Sequence, residues 1–145
     1  MNILLIEDNE ADLKIVLRAF DRLSYKNNIF TVKDGQEALD FIYHEGLYTN
    51  KGKYYRPDII LLDLNIPKLT GFDVLKRLKK DPQYNFIPVV MLTSSTHEMD
   101  VVKSYSLGAS GYIQKPAHYE EYVKMVEGFN FYWYVISKLP RVAQP

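Results

Sequence analysis

A chain of 145 residues is long enough for one domain with a full-sized hydrophobic core, and 47% of its residues are hydrophobic. Its 18 basic and 18 acidic residues cancel, so there is no basic excess to attract nucleic acid or an anionic membrane. The chain has no cysteine, which excludes disulfides and thiolate metal sites and fits a cytoplasmic protein. No apolar run is long enough to span a bilayer, and the first residues lack the pattern of a signal peptide.

Short apolar segments alternate five times with amphipathic segments that have a helical period. The predicted strands are 2–6, 29–32, 59–62, 88–92 and 111–114. The helix after each strand is predicted to end near Leu23, Gly46, Lys80, Leu107 and Lys138, in that order. A long, tyrosine-rich connection over 46–56 separates the second helix from the third strand, and long loops of this kind are often functional.

Several residues predict where the helices begin and end. Asp8 or Asn9 can cap the first helix, and Thr70 with Asp73 has the spacing of a capping box. Ser95 and Glu98 have the same spacing before the fourth helix, and Gly108 is suited to close that helix. These signals support the helix boundaries without identifying a function.

The third strand is the centre of the predicted fold. Ile59–Leu62 is apolar throughout, which is typical of a parallel strand buried on both faces. Five strands joined by helical crossovers predict an α/β, three-layer, flavodoxin-like (βα)5 fold, a doubly wound parallel sheet with strand order 2-1-3-4-5. We expect residues 1–145 to form this one domain with no output domain, so that output depends on protein contacts.

Reactive side chains follow the strands of this sheet. Glu7 and Asp8 follow the first strand, Asp63 the third, Thr93 ends the fourth and Lys115 follows the fifth. Since the carboxyl ends of parallel strands share one edge, we expect these groups to line one crevice. Three acids suit Mg²⁺, and a lysine and a hydroxyl suit phosphoryl oxygens. The set predicts phosphoryl transfer to an aspartate.

With these motifs, the chain resembles the receiver domains of bacterial response regulators, over nearly its whole length. The motifs that carry the likeness are Glu7-Asp8, Leu62-Asp63-Leu64-Asn65-Ile66-Pro67, Gly71, Met91-Leu92-Thr93-Ser94 and Gly108-Ala109-Ser110-Gly111-Tyr112-Ile113-Gln114-Lys115-Pro116. The resemblance implies a signalling protein rather than an enzyme.

The resemblance also implies roles for the acidic residues. Asp63 would accept a phosphoryl group from the phosphohistidine of a sensor histidine kinase or a phosphotransfer protein. Asp8, Asp63 and the backbone carbonyl of Asn65 would bind Mg²⁺ directly, and Glu7 would act through water.

Three further roles follow from the same likeness. Thr93 and Lys115 would contact the phosphoryl oxygens, and Tyr112 would be the switch aromatic that turns inward on activation together with a movement of Thr93. His118 stands where such domains usually have a helix-capping residue, so that cap is in doubt. The long connection and the aromatic tail resemble the stand-alone receivers that are paired with bacterial phytochromes.

Two other classes of protein share parts of this pattern. A haloacid-dehalogenase-type phosphatase also uses an aspartate nucleophile, a threonine, a lysine and magnesium. It carries a second aspartate two residues after the nucleophile, where this chain has Asn65, which cannot transfer a proton. A flavodoxin-like nucleotide-binding module is the third class, but no glycine-rich phosphate loop follows the first strand.

The last predicted helix is apolar on more faces than docking on the sheet requires. Because aromatic residues and Met are enriched at interface centres, we expect a homodimer built on this helix. The alternative is that the tyrosines lie flat on the surface with their hydroxyls in water. The residues predicted to form the dimer interface are Met125, Phe129, Tyr132, Trp133, Val135 and Ile136.

Overall fold

The computed structural model describes residues 1–144, in which strands and helices alternate as predicted. The strands are β1 (Asn2–Ile6), β2 (Asn28–Val32), β3 (Ile59–Leu62), β4 (Val89–Thr93) and β5 (Gly111–Gln114). The helices are α1 (Glu10–Asp21), α2 (Gly35–Tyr43), α3 (Gly71–Lys80), α4 (Glu98–Ser106) and α5 (Tyr119–Asn130). All strand pairs are parallel and the order is β2-β1-β3-β4-β5, which confirms the predicted topology.

The central strands are apolar because helices cover both faces of the sheet. Along β1, Leu4 and Ile6 enter one core, whereas Ile3 and Leu5 enter the other. The first core is completed mainly by α2 and α3, and the second by α1 and α5. Full burial of each such side chain contributes about 1.5–3 kcal/mol, so the sheet is a stable platform for the side chains at its edges.

The helix ends agree with the sequence at one capping box and differ at the other. Thr70 and Asp73 form the predicted box at the start of α3. The predicted box of Ser95 and Glu98 is wrong, because α4 begins at Glu98 itself and has His97 as its N-cap. The Ser95 hydroxyl instead donates to the Asp100 carboxylate, at 2.6 Å.

Two predicted helices end earlier than expected. The second helix stops at Tyr43 rather than near Gly46, because His44 takes the left-handed conformation with φ 57°. The last helix was predicted to run as one unit to Lys138, but α5 ends at Asn130 and continues as a π-helical segment, Phe131–Ile136. His118 precedes α5 without a side-chain capping bond.

The long connection after α2 is ordered by aromatic packing. It contains a short 3₁₀ helix, Gly46–Tyr48, whose Tyr48 hydroxyl donates to the Glu37 carboxylate. Tyr48 and Tyr54 pack with Phe30 and Phe41, with ring centroids 4.9–6.1 Å apart. The connection therefore extends the core beyond the edge strand β2.

The chain beyond the π-helical segment turns back across the amino end of the sheet. The Arg56 guanidinium donates to the carbonyl oxygens of Val142, at 2.5 Å, and Ala143, at 2.6 Å. The Gln144 side chain accepts from the N–H of Arg56 and donates to its carbonyl oxygen. No helix within residues 1–144 combines the length and the apolar character that crossing a membrane requires.

Candidate functional site at the carboxyl end of the sheet

Four of the predicted site residues lie together where β1, β3, β4 and β5 end. Glu7 is only 2% exposed, Asp63 5% and Thr93 0%, so these polar groups are almost as buried as the core. The Lys115 backbone is fixed beside Thr93, whose carbonyl oxygen accepts from the Lys115 N–H at 2.8 Å. The sheet topology thus assembles the predicted crevice from residues that are far apart in the sequence.

The Lys115 ammonium is the centre of the site. Its Nζ lies 2.8 Å from Asp63 Oδ2, 2.7 Å from Glu7 Oε2 and 2.8 Å from Asp12 Oδ2. The lysine side chain is 7% exposed, so its contacts with Glu7 and Asp63 are largely removed from water, whereas the Asp12 side chain is 29% exposed. An ammonium has three N–H donors, and each has a carboxylate partner here.

Negative charge is in excess around this lysine. Burial, helped by the negative charge of Asp63, raises the pKa of Glu7 to about 7, although the hydrogen bond from Lys115 acts to lower it. Burial acts to lower the pKa of Lys115, but its hydrogen bonds to Asp12, Asp63 and Glu7 outweigh that effect and raise the pKa. The site therefore keeps a permanently charged lysine among more carboxylates than it can neutralise.

Three of the acids form a group suited to a divalent cation. One oxygen each from Glu7, Asp8 and Asp63 lie within 4.8 Å of one another, with Asp8 exposed to solvent. Hard cations such as Mg²⁺ prefer carboxylate and carbonyl oxygens and usually retain water, so the donor set fits this ion. Asn65 adjoins the group, since its N–H donates to Asp63 Oδ1 at 3.3 Å.

Local structure fixes the acids in place. Glu7 Oε1 accepts from the N–H of Asn9, whose own side chain caps α1 by accepting from the Asp12 N–H at 3.0 Å. On the other side, Gly71 at the start of α3 packs against the loop after β3. A Cβ at Gly71 would lie 2.3 Å from the Asp63 carbonyl oxygen, so only glycine permits this approach.

Thr93 and Tyr112 meet at the loop after β4. The Tyr112 hydroxyl donates to the carbonyl oxygen of Ser95 at 2.9 Å, and its ring packs against the core. The Ser95 N–H points to Thr93 Oγ1 at 3.4 Å. The two predicted switch residues therefore both contact Ser95, and Tyr112 already has the inward position that was expected for the activated state.

The residues predicted for a dimer interface fall into three groups. Phe129 is 6% exposed and packs edge-on against Phe20, with ring centroids 6.1 Å apart, so it belongs to the core and its assignment to an interface is wrong. Met125 and Trp133 are half-buried against the same core. The remaining three, Tyr132, Val135 and Ile136, are exposed.

Sequence reasoning missed Asp12. In the sequence it is one of two acids in the first turn of α1, where acids are common because they favour the helix N-terminus. Its contact with Lys115 joins residues 103 positions apart. Only a helical-wheel projection that placed Asp12 on the face toward the last strand end could have suggested it.

Comparisons with known proteins agree with this geometry. The family described as response regulator receiver domain matches residues 3–127. The response regulator Rcp1 of Synechocystis is 38% identical over 138 residues, which cover 95% of this chain and 92% of Rcp1. FilR2 of Methanothrix harundinacea, described as a probable methanogenesis regulatory protein, is 38% identical over 139 residues, covering 95% of this chain and 86% of that protein.

Solved structures share the fold over almost the full length. The phosphorylated cyanobacterial phytochrome response regulator RcpA has a TM-score of 0.89 and 39% identity, covering 97% of this chain and 98% of RcpA. The Mn²⁺-bound form of Rcp1 has a TM-score of 0.88 and 37% identity, covering 97% and 99%. The Mn²⁺-bound structure of Rcp1 and the group of Glu7, Asp8 and Asp63 in this chain both support a divalent-metal site. Mg²⁺ is the cofactor of this site.

These findings decide between the classes of protein that the sequence left open. The haloacid-dehalogenase-type phosphatase is not supported, because the matching family is the response regulator receiver domain and both Rcp1 and RcpA are response regulators. A histidine kinase is the kind of partner that such proteins have. The chain belongs to the response regulator receiver domain family and accepts a phosphoryl group in two-component signal transduction.

Proposed function

We propose that Asp63 is the residue that receives the phosphoryl group. The observation that carries this proposal is the 2.8 Å contact between Lys115 Nζ and Asp63 Oδ2 in a buried crevice. A carboxylate oxygen of Asp63 attacks the phosphorus of a phosphohistidine, the P–N bond breaks and the imidazole leaves. Lys115 and Thr93 bind the phosphoryl oxygens, whose negative charge the ammonium offsets.

Glu7, Asp8, Asp63 and the backbone carbonyl of Asn65 would hold Mg²⁺ in this proposal, with Glu7 acting through water. The ion, when bound, supplies positive charge that offsets the charge of the phosphoryl group. Glu7, Asp8 and Asp63 support the assignment by bringing three carboxylate oxygens together next to Lys115. Without a cation, those acids repel one another.

Thr93 and Tyr112 are proposed as the switch. Both contact the stretch around Ser95, so a shift of the Thr93 hydroxyl toward a phosphoryl group changes the Tyr112 hydrogen bond. This movement would alter the surface of α4, which Ser95 joins through Asp100. A ligand shifts such an equilibrium only as far as it binds one state better than the other.

A sensor kinase of the phytochrome class is the proposed source of the phosphoryl group, directly or through a phosphotransfer protein. The support is the likeness over nearly the whole chain to RcpA, a phytochrome response regulator. The histidine kinase is the general partner of this family, and the phytochrome type is the narrower proposal.

The π-helical segment is proposed to form a homodimer with a second copy of the chain. Tyr132, Val135 and Ile136 are 50%, 48% and 61% exposed, and half-buried Met125 and Trp133 continue the apolar surface. Phe129 is omitted because it is in the core. Sedimentation should show a dimer, and Tyr132→Glu with Val135→Glu should give a folded monomer. A wild-type protein that stays monomeric at high concentration would contradict the interface.

Acetyl phosphate with Mg²⁺ tests the assignment of Asp63. Intact mass should show one added phosphoryl group on the wild-type protein and none on Asp63→Asn. Asp58→Asn is the matched control, because Asp58 lies at the opposite end of β3 and accepts from the Asn2 N–H. Equal labelling of the wild type and Asp63→Asn would refute the assignment.

A further inference from the structure

Asp12 is the partner of Lys115 that the phosphoryl chemistry does not explain. Its Oδ2 lies 2.8 Å from Lys115 Nζ, as close as Asp63. It is not one of the three acids whose oxygens cluster within 4.8 Å of one another. Asp12 is thus bonded to the lysine of the site without belonging to the metal group.

The other two partners of Lys115 change when the site is used. In the proposed function, Asp63 would bind a cation directly and Glu7 would bind it through water. A phosphoryl group would be attached to Asp63, whose Oδ2 now accepts from the ammonium. Asp12, on α1, takes part in neither event. Of the three carboxylates, Asp12 is therefore the one that can hold the ammonium during both metal binding and phosphorylation.

Asp12 is itself well fixed. Its backbone N–H donates to the Asn9 side chain that caps α1, and its side chain is partly buried at 29% exposure. The Lys115 backbone is fixed by Thr93. The flexible part between them is the four-carbon lysine stem, which has many rotamers when it is free.

We propose that Asp12 is a positioning residue that keeps the Lys115 ammonium directed at Asp63 while a cation and a phosphoryl group change the contacts of Glu7 and Asp63. By holding the ammonium in place, Asp12 accelerates phosphorylation. The inference rests on the proposed function of Asp63. Asp12 does not touch the phosphoryl group in this account. Asp12 acts through Lys115, because an ammonium that is already oriented toward Asp63 loses less conformational entropy when it binds the phosphoryl oxygen.

The first test is the rate of phosphorylation by acetyl phosphate at saturating Mg²⁺. Asp12→Ala should slow it about tenfold, since positioned charge is lost, and Asp12→Asn should slow it less because the amide oxygen still accepts. Glu10→Gln is the control: it removes an acid from the same helix turn, one paired with exposed Lys33. An unchanged rate in Asp12→Ala, or equal slowing by Glu10→Gln, would overturn the proposal.

Two further readouts separate positioning from a general effect on folding. In a Lys115→Met background, Asp12→Ala should cause no additional slowing, and additional slowing would overturn the route through the lysine. In ¹H–¹⁵N spectra, the Lys115 ammonium signal should broaden in Asp12→Ala and persist in Glu10→Gln. An unaltered signal in Asp12→Ala would also overturn it.

The outcomes also distinguish this inference from the proposed function. If the wild-type protein carries no phosphoryl group on Asp63, the proposed function fails. If Asp63 is labelled and Asp12→Ala is labelled at the wild-type rate, only the role of Asp12 fails. Melting curves for each variant show that the protein compared is folded.

Discussion

The two ends of the sheet deal with buried charge in opposite ways. At the carboxyl end, one lysine faces Glu7, Asp12 and Asp63, with Asp8 nearby, so the acids outnumber the cation. At the amino end, Arg56 is 8% exposed and its guanidinium donates to neutral carbonyl oxygens of the C-terminal tail. The first arrangement leaves charge uncompensated, and the second disperses it over hydrogen bonds.

The difference separates residues that serve chemistry from residues that serve stability. Excess carboxylates lower the stability of the metal-free protein and favour the binding of a cation. The charges of that cation and of Lys115 would then offset the negative charge of a phosphoryl group. The Arg56 guanidinium already donates hydrogen bonds to the carbonyl oxygens of the C-terminal tail, so its charge is stabilised without a ligand. Substitutions at the two ends should therefore respond differently to Mg²⁺.

The largest effect is expected for Lys115→Met, which keeps the apolar stem but removes the charge. Glu7, Asp12 and Asp63 then lose the cation that they share, and we expect the free energy of unfolding to fall by about 3 kcal/mol without metal. Mg²⁺ should restore part of the loss, because it supplies positive charge to Glu7 and Asp63. Urea denaturation with and without Mg²⁺ measures both quantities. Equal stability of Lys115→Met and the wild type would contradict the description of the carboxyl end.

Arg56→Ala should have a smaller effect that Mg²⁺ does not alter. The variant loses two hydrogen bonds from a charged donor and the contact with Phe86, whose ring centroid is 5.4 Å away, so we expect a loss of about 2 kcal/mol. Arg22→Ala is the control, since its pair with Glu120 is exposed and should be worth little. A loss at Arg56 that Mg²⁺ reverses would show that the two ends are not independent.

Mg²⁺ itself should stabilise the wild-type protein moderately. At about ten times its Kd, binding to the native state adds about 1.4 kcal/mol to the free energy of unfolding. Asp8→Asn should abolish this gain and should melt higher than the wild type in the absence of metal, since one repelling charge is gone. Thermal melts in buffer, Mg²⁺ and chelator provide the comparison. A full Mg²⁺ response in Asp8→Asn would exclude Asp8 as a ligand.

Tyr112→Phe should have the smallest effect, about 1 kcal/mol, because it removes the single hydrogen bond to Ser95. Tyr105→Phe on α4 is the control, as Tyr105 is 51% exposed. Denaturation measures the loss, and the backbone amide shifts of Thr93 and Ser95 show whether the loop moves with it. If Tyr105→Phe destabilises the protein as much, the Tyr112 contact has no special role.

The positions of the strand ends could be predicted for two reasons. Hydrophobic periodicity is a local property of the sequence, and the topology of parallel strands follows the rule of right-handed crossovers. The apolar run Ile59–Leu62 marks a strand buried on both faces, and the handedness of crossovers then brings Glu7, Asp63, Thr93 and Lys115 to one edge. Residue type at those positions carries the remaining information about chemistry. The site was therefore predictable except for Asp12, whose role depends on the rotation of α1 about its axis.

The amino end was less predictable because long-range contacts determine it. Nothing in the sequence of 131–136 distinguishes a π-helical segment from a continued α-helix, since aromatic and β-branched residues occur in both. The docking of the tail on Arg56 joins residues 86 and 87 positions apart. Phe129 was assigned to an interface because aromatic residues are enriched there, but the position of α1 buries its ring against Phe20.

A crystal structure of the protein with Mg²⁺ and beryllofluoride, a mimic of the phosphoryl group, would show whether Asp63 is the phosphorylated residue. We predict that beryllofluoride is attached to Asp63, with Lys115 Nζ and Thr93 Oγ1 within hydrogen-bonding distance of its fluorine atoms. Mg²⁺ should be bound by Asp8, Asp63 and the Asn65 carbonyl oxygen. Beryllofluoride bound elsewhere, or an Asp63 that stays unmodified while Mg²⁺ is bound, would contradict phosphorylation at Asp63.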